Sequence, residues 1–234
     1  LLVVNHGGRE SVEFFEVAPG PAGFEVAWRG CALAPEGAWL NDVVALPEGG
    51  LFATHMLPKR GRIGQLVEYV KAGALGIETG FALEWLPGRG FAPKPGTETT
   101  FANGIALSAD GRTIFLNSSI GGKVHRIDRA TGRALGSAEV PGPDNSTWAP
   151  DGRLLVASFV GPLFETMACG EIERGACPVP FEIVAIDPET LATETIYRGE
   201  GAPMGGGTVG LQVGDELFVG SFAGDRILRV KLGS

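Results

Sequence analysis

The chain is short of charge, of cysteine and of long apolar runs, and each shortage removes a class of protein. Charged residues make up 20% of it, and no extended pattern of Glu/Lys pairs at helical spacing occurs, which argues against a helical bundle. The formal net charge is −8 and no basic stripe is present, which speaks against a nucleic-acid partner. No apolar run approaches the length of a membrane span. Cys31, Cys169 and Cys177 are the only cysteines, and no Cys-x-x-Cys occurs, so zinc and dithiol chemistry are disfavoured. Cys169 and Cys177 flank a seven-residue segment, and a bridge or two loop thiols both remain open. There is no Gly-x-Ser-x-Gly elbow. Gly205-Gly206-Gly207 lacks the Lys-Ser/Thr of a phosphate loop and reads as a turn.

The sequence has abundant short apolar runs punctuated by its 37 Gly and 16 Pro, together with Asp and Asn, the pattern of an all-β domain. The organising stretch is Phe101–Leu116, read as strand, Asp110-Gly111 turn, strand. Related hairpins start at Asn41, Asn145 and Thr208, so Asn stands at one place in three units and Thr in the fourth. A second strand type recurs at Val12–Val17, Gln65–Val70, Lys123–Asp128, Phe181–Asp187 and Arg226–Lys231. Turns are expected at Ala18–Gly23, Ala130–Gly132 and Pro188–Thr190, and loops at Pro87–Thr100 and Gly161–Pro180. Four antiparallel strands per unit of roughly forty to sixty residues is the signature of a propeller blade. Four nearly full blades and part of a fifth are expected within residues 1–234, as a single domain. The opening Leu1-Leu2-Val3-Val4 is already strand-like, with no initiator Met, basic leader or cleavage site, and reads as a chain beginning inside a domain.

If the Asn-bearing strands are innermost, Asn41, Asn103, Asn145 and the Asp144 carboxylate converge. Hard oxygen donors in such a group suit Ca²⁺ better than four separate strand caps. Histidine occurs at positions 6, 55 and 125. One at a channel mouth can act as general base near neutral pH. His125 reads as structural, while His55 stays open between the two roles.

Val3-Val4-Asn5-His6 with Ser11–Phe15, Leu40–Ala45, Phe101–Ile105, Asp144-Asn145, Gly207–Val209 and Leu217–Gly220, in this order along nearly the whole chain, resembles the paraoxonase/arylesterase family. More distantly the chain is similar to senescence-marker/gluconolactonase and strictosidine-synthase-like propellers. The resemblance implies a six-bladed all-β propeller, of which this chain supplies about four and a half blades, with one catalytic and one structural Ca²⁺. It implies Asn41, Asn103, Asp144 and Asn145 as ligands of the catalytic ion and Asp42 of the structural one. His6 matches the second member of the family's histidine pair. Phe101 and Phe222 fall where the family lines its substrate pocket, and His55 is grouped with them. The family's remaining Glu ligand and its Pro-His-Gly histidine lie upstream of Leu1, so the resemblance implies a domain whose N-terminal part is missing here.

The function implied is calcium-dependent hydrolysis of a small-molecule lactone or aryl ester by a histidine-activated water. The alternatives are a sugar lactonase of the gluconolactonase type and a non-catalytic binding propeller with structural calcium. Without the upstream Glu, the chain alone is expected to bind calcium weakly and to be poorly active. Lipoprotein attachment is not implied. Oligomeric state stays open, and periplasm or secretion is favoured for the compartment.

Overall fold

The computed structural model describes residues 1–161 and 163–233. Among the described residues, eighteen strands fall into five sheets. The first sheet holds β1 (Leu2–Asn5), β2 (Ser11–Gly20) and β3 (Gly23–Leu33). The second holds β4 (Leu40–Ala45), β5 (Leu51–His55), β6 (Phe81–Leu86) and β7 (Gly90–Pro93). The third holds β8 (Ala102–Leu107), β9 (Thr113–Ser118), β10 (Lys123–Asp128) and β11 (Ala134–Glu139). The fourth holds β12 (Pro143–Trp148), β13 (Leu154–Phe159), β14 (Phe181–Ile186) and β15 (Thr193–Gly199). The fifth holds β16 (Gly207–Val213), β17 (Glu216–Ser221) and β18 (Leu228–Lys231). Within every sheet spatial neighbours are sequence neighbours, the meander of a propeller blade. The fold is an all-β propeller with five blades, three of four strands and two of three. Five blades stand where the resemblance implies six; the opening segment forms a three-stranded sheet of its own, with β3 eleven residues long.

The chain divides into two compact units, Leu1–Ile114 with Ile127–Arg133, and Phe115–Arg126 with Ala134 onward. In the first unit Val12, Leu40, Leu51, Ala53 and Leu83 form a buried cluster, flanked by Phe14 and Trp85 with ring centroids 5.4 Å apart. In the second, Leu155, Ala157, Phe181, Ile183, Leu217 and Val219 pack together. β5 and β13 are buried on both faces almost throughout, which is why Leu51-Phe52-Ala53 and Leu154-Leu155-Val156-Ala157 are continuous apolar runs. The expected turns have a side-chain mechanism. Asp128 Oδ1 accepts the Thr131 amide at 2.8 Å, and Asp187 Oδ1 accepts the Thr190 amide at 2.7 Å.

Four sequence expectations need correction. Gln65–Val70 is not a strand but part of helix α1 (Arg62–Leu75), ended by Gly76 at φ 62°. Its apolar residues Ile63, Leu66, Val67 and Val70 follow i, i+3, i+4, i+7, and the strand in that place is β6. The Pro87–Thr100 loop contains β7, the fourth strand of its sheet. The supposed turn at Ala18–Gly23 is narrower, since β2 runs to Gly20 and β3 starts at Gly23. The Gly161–Pro180 loop contains helix α2 (Leu163–Ala168) and a 3-10 turn at Cys169–Glu171. No helix among the described residues is long and apolar enough to cross a membrane.

Cys169 and Cys177 form a disulfide, with Cα atoms 5.4 Å apart and both side chains buried beside Val179 and Ala223. The bridged segment lies against glycines. A Cβ at Gly205 would stand 2.3 Å from the Cys177 carbonyl oxygen, and one at Gly206 would stand 2.8 Å from Cys177 Sγ. Gly206 also donates its amide to Val179 O at 2.8 Å. Closing a loop of sequence separation 8 restricts the unfolded chain by about 2.5 kcal/mol at room temperature. The Cys169→Ser/Cys177→Ser variant is therefore expected to lose stability of that order in denaturant titration. Gly205→Ala is expected to lose roughly 1–3 kcal/mol, because the obstacle is backbone and has nowhere to rotate. A Gly205→Ala protein as stable as the parent would contradict the close approach.

Candidate functional site

Three of the four repeat positions singled out in the sequence stand at breaks in strand pairing. In the β4–β5 ladder, Leu40 pairs with His55 and Val43 with Ala53, so Asn41 and Asp42 together face the one residue Thr54. In the β12–β13 ladder, Pro143 pairs with Ser158 and Ser146 with Val156, so Asp144 and Asn145 together face Ala157. In the β16–β17 ladder the shift falls between Gly207 and Val209, at Thr208. The first strands β4, β12 and β16 thus each carry one extra residue, a β-bulge, which turns side chains out of the regular alternation. Bulges of this kind recur beside functional sites. Asn103 is the second residue of β8 and is 5% exposed.

In the first unit, Asp42 ties β4 to β8. Its Oδ1 accepts the Val43 amide at 2.8 Å and its Oδ2 the Ile105 amide at 2.8 Å, while its own amide goes to Thr54 Oγ1 at 2.9 Å. Burial pushes the Asp42 carboxyl up to about 6, against the pull of those two amides. Asn41 directs its amide nitrogen at Met56 Sδ, 3.2 Å away. His6 lies at the β1–β2 connection, with Nδ1 2.9 Å from Glu10 Oε1. His6, Arg9, Glu10 and Lys59 line a cavity of about 570 Å³. His55 lines a second cavity of about 450 Å³ with Phe81, Phe91 and Arg60, and residues 35–38 line both. His55 is buried, accepts the Trp39 amide on Nδ1 at 3.1 Å, and packs at 4.9 Å on the Phe81 ring. Burial holds its pKa below the ordinary value of 6.5, opposed by the nearby Glu10 charge. Phe101 takes φ 60°, a sparse conformation for a bulky residue, and stacks on Tyr69 of α1 at 5.8 Å.

In the second unit, Asp144 is 6% exposed. Asn145 donates its amide nitrogen to Thr208 O at 3.1 Å. Asn117, fully buried on β9, donates to Asp144 O and, at 2.8 Å, to Ser146 Oγ. Its Oδ1 has no hydrogen-bond partner among the described residues. Phe222 follows β17, is 48% exposed, and meets the Phe159 ring edge-on at 6.1 Å.

The first unit therefore brings His6 and His55 to cavities that share a wall, and sets Asn41 and Asp42 side by side. Phe101 and Phe222 are not among the residues lining either cavity. Asp144 and Asn145 stand together in the second unit. Among the described residues no group of three or more His, Cys, Asp or Glu is placed to hold a metal. The candidate donors are instead mainly amide oxygens, hard donors that suit Ca²⁺. In Asn41 and Asn145 the nitrogen makes the protein contact, which leaves the oxygen as the donor atom. Sequence reasoning missed Glu10, Lys59 and Tyr69. A Glu four residues after His6 was the one local signal available for the first of them.

No family model matches the chain, and no curated protein matches it by sequence. Solved structures do match it in shape. A protein of unknown function from Bacteroides caccae is 13% identical at a TM-score of 0.53, over 98% of this chain and 76% of its own. A luciferin-regenerating enzyme is 19% identical at 0.51, over 94% and 69%. A 6-phosphogluconolactonase candidate from Bacteroides fragilis is 13% identical at 0.50, over 94% and 62%. At these identities the likeness establishes the propeller fold alone.

The histidines give stability a pH dependence of definite sign. His55 is held neutral by burial, so below about pH 6.5 the unfolded chain binds a proton that the folded chain resists. The associated stability is complete above that pH and is lost as pH falls towards the depressed folded value. Burial acts in the same direction on His125. Asp42 acts oppositely, because its folded form holds a proton between its ordinary 3.8 and about 6. Comparing His55→Gln with the parent isolates the His55 contribution. Between pH 7 and 5 the variant is expected to lose less stability than the parent in urea titrations, and parallel curves would refute the assignment.

Proposed function

We propose that this propeller is a calcium-dependent hydrolase of lactones or aryl esters. The observation that carries the reading is the repeated bulge, which sets Asn41 with Asp42, and Asp144 with Asn145, at the heads of first strands. Asn41 and Asn103 of the first unit, and Asp144 and Asn145 of the second, are the oxygen donors proposed for catalytic calcium on the resemblance, and Asp42 is the one proposed for structural calcium. Calcium held there would supply Lewis-acid polarisation of a substrate carbonyl. His6 takes a proton from the attacking water and returns it to the leaving alkoxide or phenoxide. The resemblance makes Phe101, Phe222 and His55 substrate-facing residues, and of these His55 lines a cavity here. Among the similar structures, a luciferin-regenerating enzyme and a 6-phosphogluconolactonase candidate support this reading at the level of fold only.

The test is hydrolysis of a panel of γ- and δ-lactones, phenyl acetate and a phosphorylated sugar lactone, before and after EDTA, beside calcium titration by calorimetry. Asn103→Ala is expected to weaken calcium binding and turnover together by roughly tenfold or more, with the melting temperature in calcium-free buffer as a control for folding. Turnover that survives both chelation and Asn103→Ala would remove the ion from the chemistry. Tight calcium binding with no turnover would favour the binding-module alternative. Preference for the sugar lactone would favour the gluconolactonase type.

A further inference from the structure

Glu10 is a carboxylate with 10% side-chain exposure that accepts three donors. Oε1 takes the Leu40 amide at 2.7 Å and lies 2.9 Å from His6 Nδ1, while Oε2 takes Lys59 Nζ at 2.9 Å. Burying a carboxylate is unfavourable unless donors replace the lost water, and these three do so. An ionised carboxylate can only accept, so Nδ1 is the nitrogen of His6 that carries hydrogen. In the neutral ring Nε2 is then the lone-pair nitrogen. The His6 side chain is 49% exposed and lines the 570 Å³ cavity.

The frame around this pair is firm. Leu40 is the first residue of β4, immediately before the Asn41–Asp42 bulge. Lys59 is fixed through its own amide to Gly37 O at 2.8 Å. On the other side, Asn5 Oδ1 accepts the Gly7 amide at 3.1 Å and Asn5 Nδ2 donates to Arg9 O at 3.0 Å, which holds the turn that presents His6.

We propose that Glu10 is a positioning residue that locks His6 in the Nδ1–H tautomer, with Nε2 turned to the cavity as proton acceptor. Its use in hydrolysis rests on the function proposed above, whereas the tautomer does not. Lys59 neutralises the second carboxylate oxygen and takes no part in the orientation of the ring.

The test uses the full chain with ring-¹⁵N histidine, His6 being assigned by its disappearance in His6→Gln. At pH 8 the parent is expected to show protonated Nδ1 and bare Nε2. Glu10→Gln, whose neutral amide oxygen is a weaker acceptor for Nδ1–H than the carboxylate, is expected to move the ring towards the Nε2–H form usual for free histidine. Lys59→Met is expected to leave the tautomer as in the parent. On a hydrolysed substrate, Glu10→Gln should lower kcat by about tenfold or more with KM within roughly twofold. An Nε2–H ring in the parent, an unchanged ring in Glu10→Gln, or unaltered kcat in that variant would overturn the proposal. If the parent hydrolyses nothing, the hydrolase reading fails while the ring spectra still decide whether Glu10 sets the tautomer.

Discussion

The Asp42 carboxylate carries two backbone amides, that of the next residue and that of Ile105, 63 residues along the chain. The bond to Ile105 answers a general difficulty of the fold. The first strand of a blade hydrogen-bonds to the second on one side only, and an inserted bulge residue takes it further out of the ladder. Unpaired buried amides are costly. The sequence meets the cost with side chains, as Thr54 Oγ1 takes the Asp42 amide and Asp42 takes the Ile105 amide. The second unit uses the same device at the same separation of 63 residues. There Asn145 Nδ2 donates to Thr208 O, and Thr147 Oγ1 donates to Gly210 O. Polar residues at the heads of these strands are therefore required by the architecture before any ligand is considered. What architecture alone does not require is the choice of oxygen-rich side chains whose nitrogens are already engaged.

The hairpins could be read because two independent signals coincide in them. Apolar runs mark the strands, and Asp-Gly or Gly-Gly marks the turn, as at Asp110-Gly111 between β8 and β9. The polar positions could be read because they recur in the repeat. Helix α1 could not be read from the short window Gln65–Val70, where Leu, Val, Tyr and Val suit either period. Its apolar stripe is also largely exposed, with Ile63 at 83% and Leu66 at 64%, so no core-facing pattern betrays it. Instead Glu68 and Ala72 are buried, and Tyr69 stacks on Phe101. The bulges themselves leave no mark on composition. Glu10 was illegible for a different reason, since two of its donors come from positions 30 and 49 residues away.

The disulfide segment shows how glycine can be read only in context. Gly205 and Gly206 look like a flexible turn in the sequence, yet their bare backbones are what admits the Cys177 main chain and sulfur to contact distance. Ser221 Oγ, at the end of β17, reinforces the turn by donating to Gly206 O at 2.8 Å. The crosslink, the turn before β16 and the strand end before Phe222 are thereby one packed piece, and Ala223 joins the same buried cluster.

The two histidines of the first unit are physically unlike, and the difference bears on which could move a proton. His55 is 6% exposed, its Nδ1 is occupied by the Trp39 amide, its ring lies on Phe81, and burial disfavours its charged form. A ring so held resists the cationic state that a general base must enter, and it serves better as a wall. His6 is half-exposed on a cavity and has a carboxylate on Nδ1, so the charge it would gain is met by a fixed opposite charge. A proton acceptor needs both an open nitrogen and compensation for its product charge. Of these two residues His6 has both, and the compensation comes from Glu10, whose oxygens also anchor the first residue of β4.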